Sequence, residues 1–279
     1  MRHIIKQKDE DKPWLVVFEN VAPWLKHAKH KREVDTIMKK MRVAGYKISF
    51  RLINTADHGV CQRRWRAYGV AVLKSKMVRP FSWPKAVPLK YTLGDLVNGS
   101  PSLTESAHMK FPTMLTPKGR KRVRALVKRA LMKAVPQADS ARQAWTLVKA
   151  DAARYPLFMD IDCSVGRDNM AYSKTDSVCY PLTESRGRSG GPYLLTHGRR
   201  TTMRKMSWLQ GLDLTDAEVS VIEEQSLTVR QFGSFMGNGT SNNVMERILA
   251  RGLVAAGLVS PGSVVDRWGD PAIAIGPMS

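Results

Sequence analysis

Glu19 closes the apolar run Trp14-Leu15-Val16-Val17-Phe18 and opens Asn20-Val21-Ala22-Pro23. The run reads as a short strand buried on both faces, the kind found in parallel sheets, so Glu19 falls at the strand's C-terminal edge. A carboxyl group there is either a solvated turn residue or a proton donor to a ligand resting on the sheet. The three cysteines, Cys61, Cys163 and Cys179, are widely spaced and form no C-x-x-C pair, so neither a zinc site nor a disulfide framework is indicated. His27 and His30 lack the carboxylate or cysteine spacing of a metal site and read as solvated residues; no metal is expected.

The second chemical resource is charge. Lys and Arg total 45 against 24 Asp and Glu, a formal net charge of +21, which points to a polyanionic partner with nucleic acid first. No acidic residue occurs from Ser106 to Ala138, a stretch that includes Lys121, Arg122 and Arg124. A second acid-free stretch carries Arg186, Arg188, Arg199, Arg200, Arg204 and Lys205. Two such zones suggest a clamp or cleft for phosphate backbone, the plainer reading of either being a solvated face. No apolar stretch reaches the roughly 20 residues of a membrane span, and the start lacks a signal-peptide core. An intracellular, nucleic-acid-associated protein is expected.

These residues need elements to hold them. Val34, Ile37, Met38 and Met41 make one apolar stripe, predicting a helix over about residues 31–44 that ends at Gly45. Tyr46, Ile48, Phe50 and Leu52 alternate as a strand, and residues 65–73 make another, paired with it as an antiparallel hairpin. Six prolines between residues 77 and 117 place a domain boundary near 77. A basic helix with Val123, Leu126, Val127, Ala130 and Leu131 inside follows, then a helix over about 140–153 capped by Asp139 or Ser140. Residues 155–198 read as loops and short strands. Residues 233–242 read as a Gly-rich loop that opens a helix stopping near Gly257 and offers backbone N–H groups to a polar ligand.

Four segments in order, Phe18-Glu19-Asn20-Val21, then Gln62-Arg63-Arg64-Trp65-Arg66, then Arg200-Thr201-Thr202-Met203-Arg204 running to Leu209-Gln210-Gly211, then Met236-Gly237-Asn238-Gly239, resemble the second half of a DNA (cytosine-5) methyltransferase. The resemblance implies an α/β fold: the C-terminal part of a Rossmann-like methyltransferase domain at residues 1–76, a mixed target-recognition domain at 77–198, and a connecting block with a returning helix at 199–279. It implies that Glu19 hydrogen-bonds a flipped cytosine at its ring nitrogen and helps protonate it, a carboxyl kept partly protonated by a dry pocket being suited to that task. Arg66 would hold the base's exocyclic oxygen, and Arg64 would support a phosphate or the catalytic loop. Asn238, Gly239 and Thr240 would line part of the S-adenosylmethionine site. Gln62, Lys121, Arg122, Arg124, Thr183, Ser185, Arg186 and Arg188 would contact double-stranded DNA, and Arg204 would be buried in polar contacts.

The family's F-x-G-x-G cofactor loop and Pro-Cys nucleophile are not found in these residues. Cys61 stands where the family commonly has proline and is expected to be a small buried residue or an exposed thiol. With twelve residues before Pro13, the expectation is a split enzyme: a second polypeptide carries the first four strands and the nucleophile, and covers the open edge of the first strand. The rival expectation is a non-catalytic sequence-specific DNA-binding relic or assembly subunit; a ribosomal or RNA-binding protein would rest on charge alone. Restriction protection is one role such an enzyme could serve.

Overall fold

The computed structural model describes residues 8–96, 117–150, 157–159, 172–174, 178–194 and 199–269. The chain divides into two compact units, one of Met1–Gly59, Trp65–Pro88 and Ser241–Ser279, the other of Val60–Arg64 and Leu89–Thr240. The expected boundaries at 76 and 198 therefore both move. Residues 77–88 belong to the first unit because Met77, Phe81 and Trp83 pack on its core and the Val78 N–H donates to the Ala255 carbonyl at 3.0 Å. Residues 199–240 belong to the second because Met203 and Met206 share a core with Leu182, Val229 and Phe232.

The first unit is built on strand β1 (Leu15–Val21), the short helix α1 (Pro23–Lys26), helix α2 (Lys31–Val43), strand β2 (Tyr46–Asn54) and strand β3 (Trp65–Leu73). The sheet order is β1-β3-β2, with both pairings antiparallel, so the hairpin of β2 and β3 is as expected. β1 is antiparallel to its neighbour rather than part of a parallel pair among the described strands. Alternation along the strands sends Val16, Phe18, Ile48, Ala71 and Leu73 to one face, where Met41 of α2 and Ala44 just after it cover them. The opposite face carries Leu15, Val17, Tyr68, Val70 and Val72 under Val244, Ile248 and Ala255.

Although both faces are covered, Leu15 to Phe18 are only half-buried, against the expectation of a buried strand. The reason is the edge. The Leu73 N–H donates to the Trp14 carbonyl at 2.9 Å, and that phase turns the backbone groups of Leu15, Val17 and Glu19 away from β3. No described strand lies on that side. The Asn20 side-chain oxygen accepts the Val21 N–H at 2.8 Å and so satisfies one donor on the open edge just beyond Glu19.

The second unit holds helices α3 (Pro117–Ala134) and α4 (Ala141–Ala150), strands β4 (Leu157–Met159) and β5 (Tyr172–Lys174), helix α5 (Glu184–Arg188), strands β6 (Tyr193–Leu194) and β7 (Arg199–Arg200), and helices α6 (Met203–Leu209), α7 (Asp216–Glu224) and α8 (Val229–Asn238). The Ser140 hydroxyl accepts the Gln143 N–H at 3.2 Å and caps α4. Helix α9 (Asn242–Ala255) returns the chain to the first unit and is followed by Gly257, which takes φ +70°.

Residues 233–238 are helix, not the expected loop. α8 starts at a capping box of Thr228 and Gln231, and its glycines serve a helix crossing. A Cβ on Gly233 would lie 2.1 Å from the Gly187 carbonyl oxygen, and one on Gly237 would lie 2.2 Å from the Thr183 carbonyl oxygen. Only glycine lets α5 and α8 approach backbone to backbone.

Candidate active site

β1 and β3 place Glu19 and Arg66 on one sheet face, the face covered by α9. Glu19 pairs across the ladder with Tyr68, and Arg66 with Val21, two residues further on. The diagonal brings Arg66 Nε to 3.0 Å from Glu19 Oε1, with the two side chains 17% and 28% exposed. Arg66 also donates from Nη1 to the Trp65 carbonyl at 2.9 Å, which fixes the guanidinium plane. The carboxylate remains reachable from solvent and is aimed by a rigid, always-charged partner. The resemblance places both residues on one base; the register supplies the contact between them.

The other half of the Q-x-R-x-R segment does something different. Gln62 is fully buried: its amide nitrogen donates to the Leu209 carbonyl and its amide oxygen accepts the Leu182 N–H at 3.0 Å. That corrects its expected contact with DNA, since both polar ends are satisfied by main chain. Arg64 is 1% exposed and donates to the carbonyls of Leu182 (2.6 Å), Gly237 (3.3 Å) and Gly239 (2.6 Å). It clamps the start of α5 to the end of α8; of its two expected tasks, support of a phosphate or of a loop, these contacts show main-chain support. Arg200, Thr202 and Gln210 act in the same way: Arg200 donates to the Gly191 carbonyl at 2.8 Å, Thr202 caps α6, and Gln210 donates to the Met236 carbonyl. Arg204 is half-buried, holding the Leu214 carbonyl at 2.9 Å and Asp216 at 3.0 Å.

Neither described cysteine is a nucleophile in waiting. Cys61 and Cys179 are both buried, and burial pushes the Cys61 thiol up to about 12. Cys163 lies outside the described residues. Lys121 and Arg124 are exposed on α3, which also carries Arg122. In the α5 region Ser185 and Arg188 are exposed, Thr183 shares a 3.2 Å hydrogen bond with Ser185, Arg188 pairs with Glu184, and Arg186 lies 5.0 Å over the Tyr180 ring while donating to the Pro181 carbonyl.

The three residues expected at the cofactor fit it in part. Asn238 exposes its carboxamide and Thr240 is half-buried, but the Gly239 N–H donates to the Phe235 carbonyl at 2.8 Å and its own carbonyl accepts from Arg64. They form a polar edge rather than a cradle of free N–H groups.

One buried network escaped sequence reasoning. Arg247 of α9 donates to Asp266 at 2.8 Å, to His58 Nδ1 at 2.6 Å and to the Lys85 carbonyl at 2.9 Å, while the Asn243 amide donates to the His58 carbonyl at 2.7 Å. Because arginine can only donate, His58 must accept at Nδ1 and carry its proton on Nε2. Burial, then Arg247, lowers the His58 pKa to about 4. The partners are separated by up to about two hundred residues, and no local spacing announces them.

A profile of C-5 cytosine-specific DNA methylases matches residues 2–251. The Type II methyltransferase M.AplI of Arthrospira platensis is 30% identical over 111 residues, which cover 39% of this chain and 30% of that protein, so the chain spans under a third of that relative's length. Among solved structures, Entamoeba histolytica methyltransferase EhMeth gives a TM-score of 0.52 at 14% identity over 90% of this chain and 67% of that one. S. pombe Dnmt2 methyltransferase gives 0.52 at 14% over 87% and 68%. At such identities the two structures speak for an α/β methyltransferase fold alone. The profile match runs over most of the chain, and the protein belongs to the C-5 cytosine-specific DNA methylase family.

Proposed function

We propose that this chain is the portion of a DNA cytosine-5 methyltransferase that binds duplex DNA, holds a flipped cytosine and supplies the activating carboxyl group, while the nucleophilic cysteine and the main cofactor loop belong to a partner polypeptide. The observation that carries the reading is the Glu19–Arg66 pair at 3.0 Å, whose side chains stay partly exposed at one end of the sheet. Glu19 hydrogen-bonds the ring nitrogen of cytosine and shares a proton with it, which makes the neighbouring ring carbon a better electrophile. Arg66 orients Glu19 and offers a donor to the exocyclic oxygen. Arg64 acts one step back, as a positioning residue that holds α5 and α8 together. S-adenosylmethionine, when bound, supplies the methyl group, and Asn238 and Thr240 would touch one side of it.

Two observations support placing the nucleophile elsewhere. The Cys61 thiol is buried and held far from thiolate formation, and β1 turns Leu15, Val17 and Glu19 backbone groups toward a side with no described strand. A strand added there would meet the sheet beside Glu19.

The test is methyl transfer from labelled S-adenosylmethionine to duplex DNA, with the chain reconstituted beside a polypeptide carrying an F-x-G-x-G loop and a Pro-Cys. Glu19→Gln should lower turnover by about 10²–10⁴-fold while DNA binding is kept. Unchanged turnover would favour the second reading, a DNA-binding relic or assembly subunit, to which the +21 charge alone lends support. Methyl transfer by the isolated chain would remove the partner from the proposal.

A further inference from the structure

The run Lys26-His27-Ala28-Lys29-His30-Lys31-Arg32 between β1 and the body of α2 takes no part in the chemistry above. Helix α2 turns Ile37, Met38 and Met41 into the core. Its opposite stripe, Lys31, Arg32, Asp35, Thr36 and Lys39, together with Ala28 lines a shallow open depression of about 450 Å³. Three exposed cations therefore meet there. The two carboxylates of this helix do not cancel them: Glu33 is turned aside to accept the Trp24 indole N–H at 3.0 Å, with His30 3.6 Å away, and Asp35 stands alone among the three.

Lys26, two residues before Ala28, meets an exposed aromatic ring. Trp65 is 40% exposed, and the Lys26 ammonium sits 5.2 Å from the ring centroid. Alternation along β3 puts Trp65 on the face covered by α2 and Arg66 on the other, so Trp65 is not part of the Glu19–Arg66 pair. A merely solvated helix needs no indole in water. Cations for phosphates and a ring face for bases or sugars are together what nucleic acid recognition uses.

We propose that Lys31, Arg32 and Lys39 of α2, with Lys26 and Trp65, form a second DNA contact that binds the phosphate backbone flanking the target site. It belongs to the first unit, whereas the basic α3 belongs to the second. The inference rests on the reading of the chain as a DNA-binding protein.

The experiment measures duplex DNA affinity of the full chain across a salt series. For Lys31→Gln/Arg32→Gln/Lys39→Gln, the slope of log K against log salt should become shallower by about 2 to 3, at about 0.9 for each phosphate that the variant no longer neutralises. Trp65→Ala should weaken binding several-fold at every salt concentration with the slope unchanged, because packing of the ring on the sugars of the backbone is uncharged. All substituted positions are exposed, and unfolding is checked by circular dichroism. If the triple variant keeps the wild-type slope and affinity, this second contact is wrong while the methyltransferase reading stands. If the wild-type chain binds no DNA at any salt concentration, both fall.

Discussion

Arg64 and Arg66 are the same residue type two positions apart, yet they end in different units and in opposite conditions. Arg64 is sealed from water and spends its guanidinium on three main-chain carbonyls; Arg66 sits at a sheet face with solvent access and one carboxylate. The contrast divides a motif that reads as one functional string into a buried architectural half and an accessible half, the one to which the proposed chemistry is assigned. Gln62, Thr202 and Gln210 fall with Arg64, each bonded to main chain. Glu19 falls with Arg66. A buried arginine that satisfies carbonyls is irreplaceable for stability, whereas an accessible ion pair contributes little to stability and is free to serve a ligand.

That division can be broken most directly at Arg64. Arg64→Ala strands the buried carbonyls of Leu182, Gly237 and Gly239, and should destabilise the chain by about 3–5 kcal/mol in chemical denaturation. Arg64→Lys should recover only part of this, since a compact ammonium cannot span three acceptors. A fully stable Arg64→Ala would return Arg64 to the catalytic side.

The next effect is read through pH. His58 is held neutral, with a pKa of about 4 against 6.5 when unfolded, so its contribution is present above pH 6.5 and is lost as pH falls toward 4. The loss should reach roughly 3 kcal/mol. His58→Gln should give a flatter stability profile over that window; the same profile in both proteins would sink the assignment. This network belongs with Arg64 as architecture, although it lies in the unit that carries Glu19.

The smallest stability effect is expected at the pair to which the proposed chemistry is assigned. Arg66→Ala should cost under about 1 kcal/mol, because the pair with Glu19 is partly exposed, while turnover of the reconstituted enzyme falls at least tenfold. If Arg66→Ala unfolded the protein as Arg64→Ala does, the comparison would lose its meaning.

Much of the first unit was legible. The period of Val34, Ile37, Met38 and Met41 located α2, and the alternation of Tyr46 to Leu52 located β2, because both segments bury one side of a regular element. Glu19 and Arg66 were legible by type and by motif. The α8 helix was missed because Gly233 and Gly237 argue locally for a loop, and only the crossing with α5 makes glycine a requirement inside a helix. The burial of Gln62 was missed because its partners, Leu182 and Leu209, are more than a hundred residues away. The Gly233-x-x-x-Gly237 spacing was the one available hint of the crossing.

The positive charge, the α2, β2 and β3 elements, the family and the candidates Glu19 and Arg66 follow from the order of residues alone, since these depend on composition, local period and ordered motifs. Which motif residues remain reachable depends on the fold. Exposure is set by what packs against a side chain, and for Gln62, Arg64 and His58 the packing groups come from distant parts of the chain. The same applies to the meeting of Glu19 with Arg66. Each residue was visible alone, but the register of β1 against β3 places the carboxylate within 3.0 Å of the guanidinium.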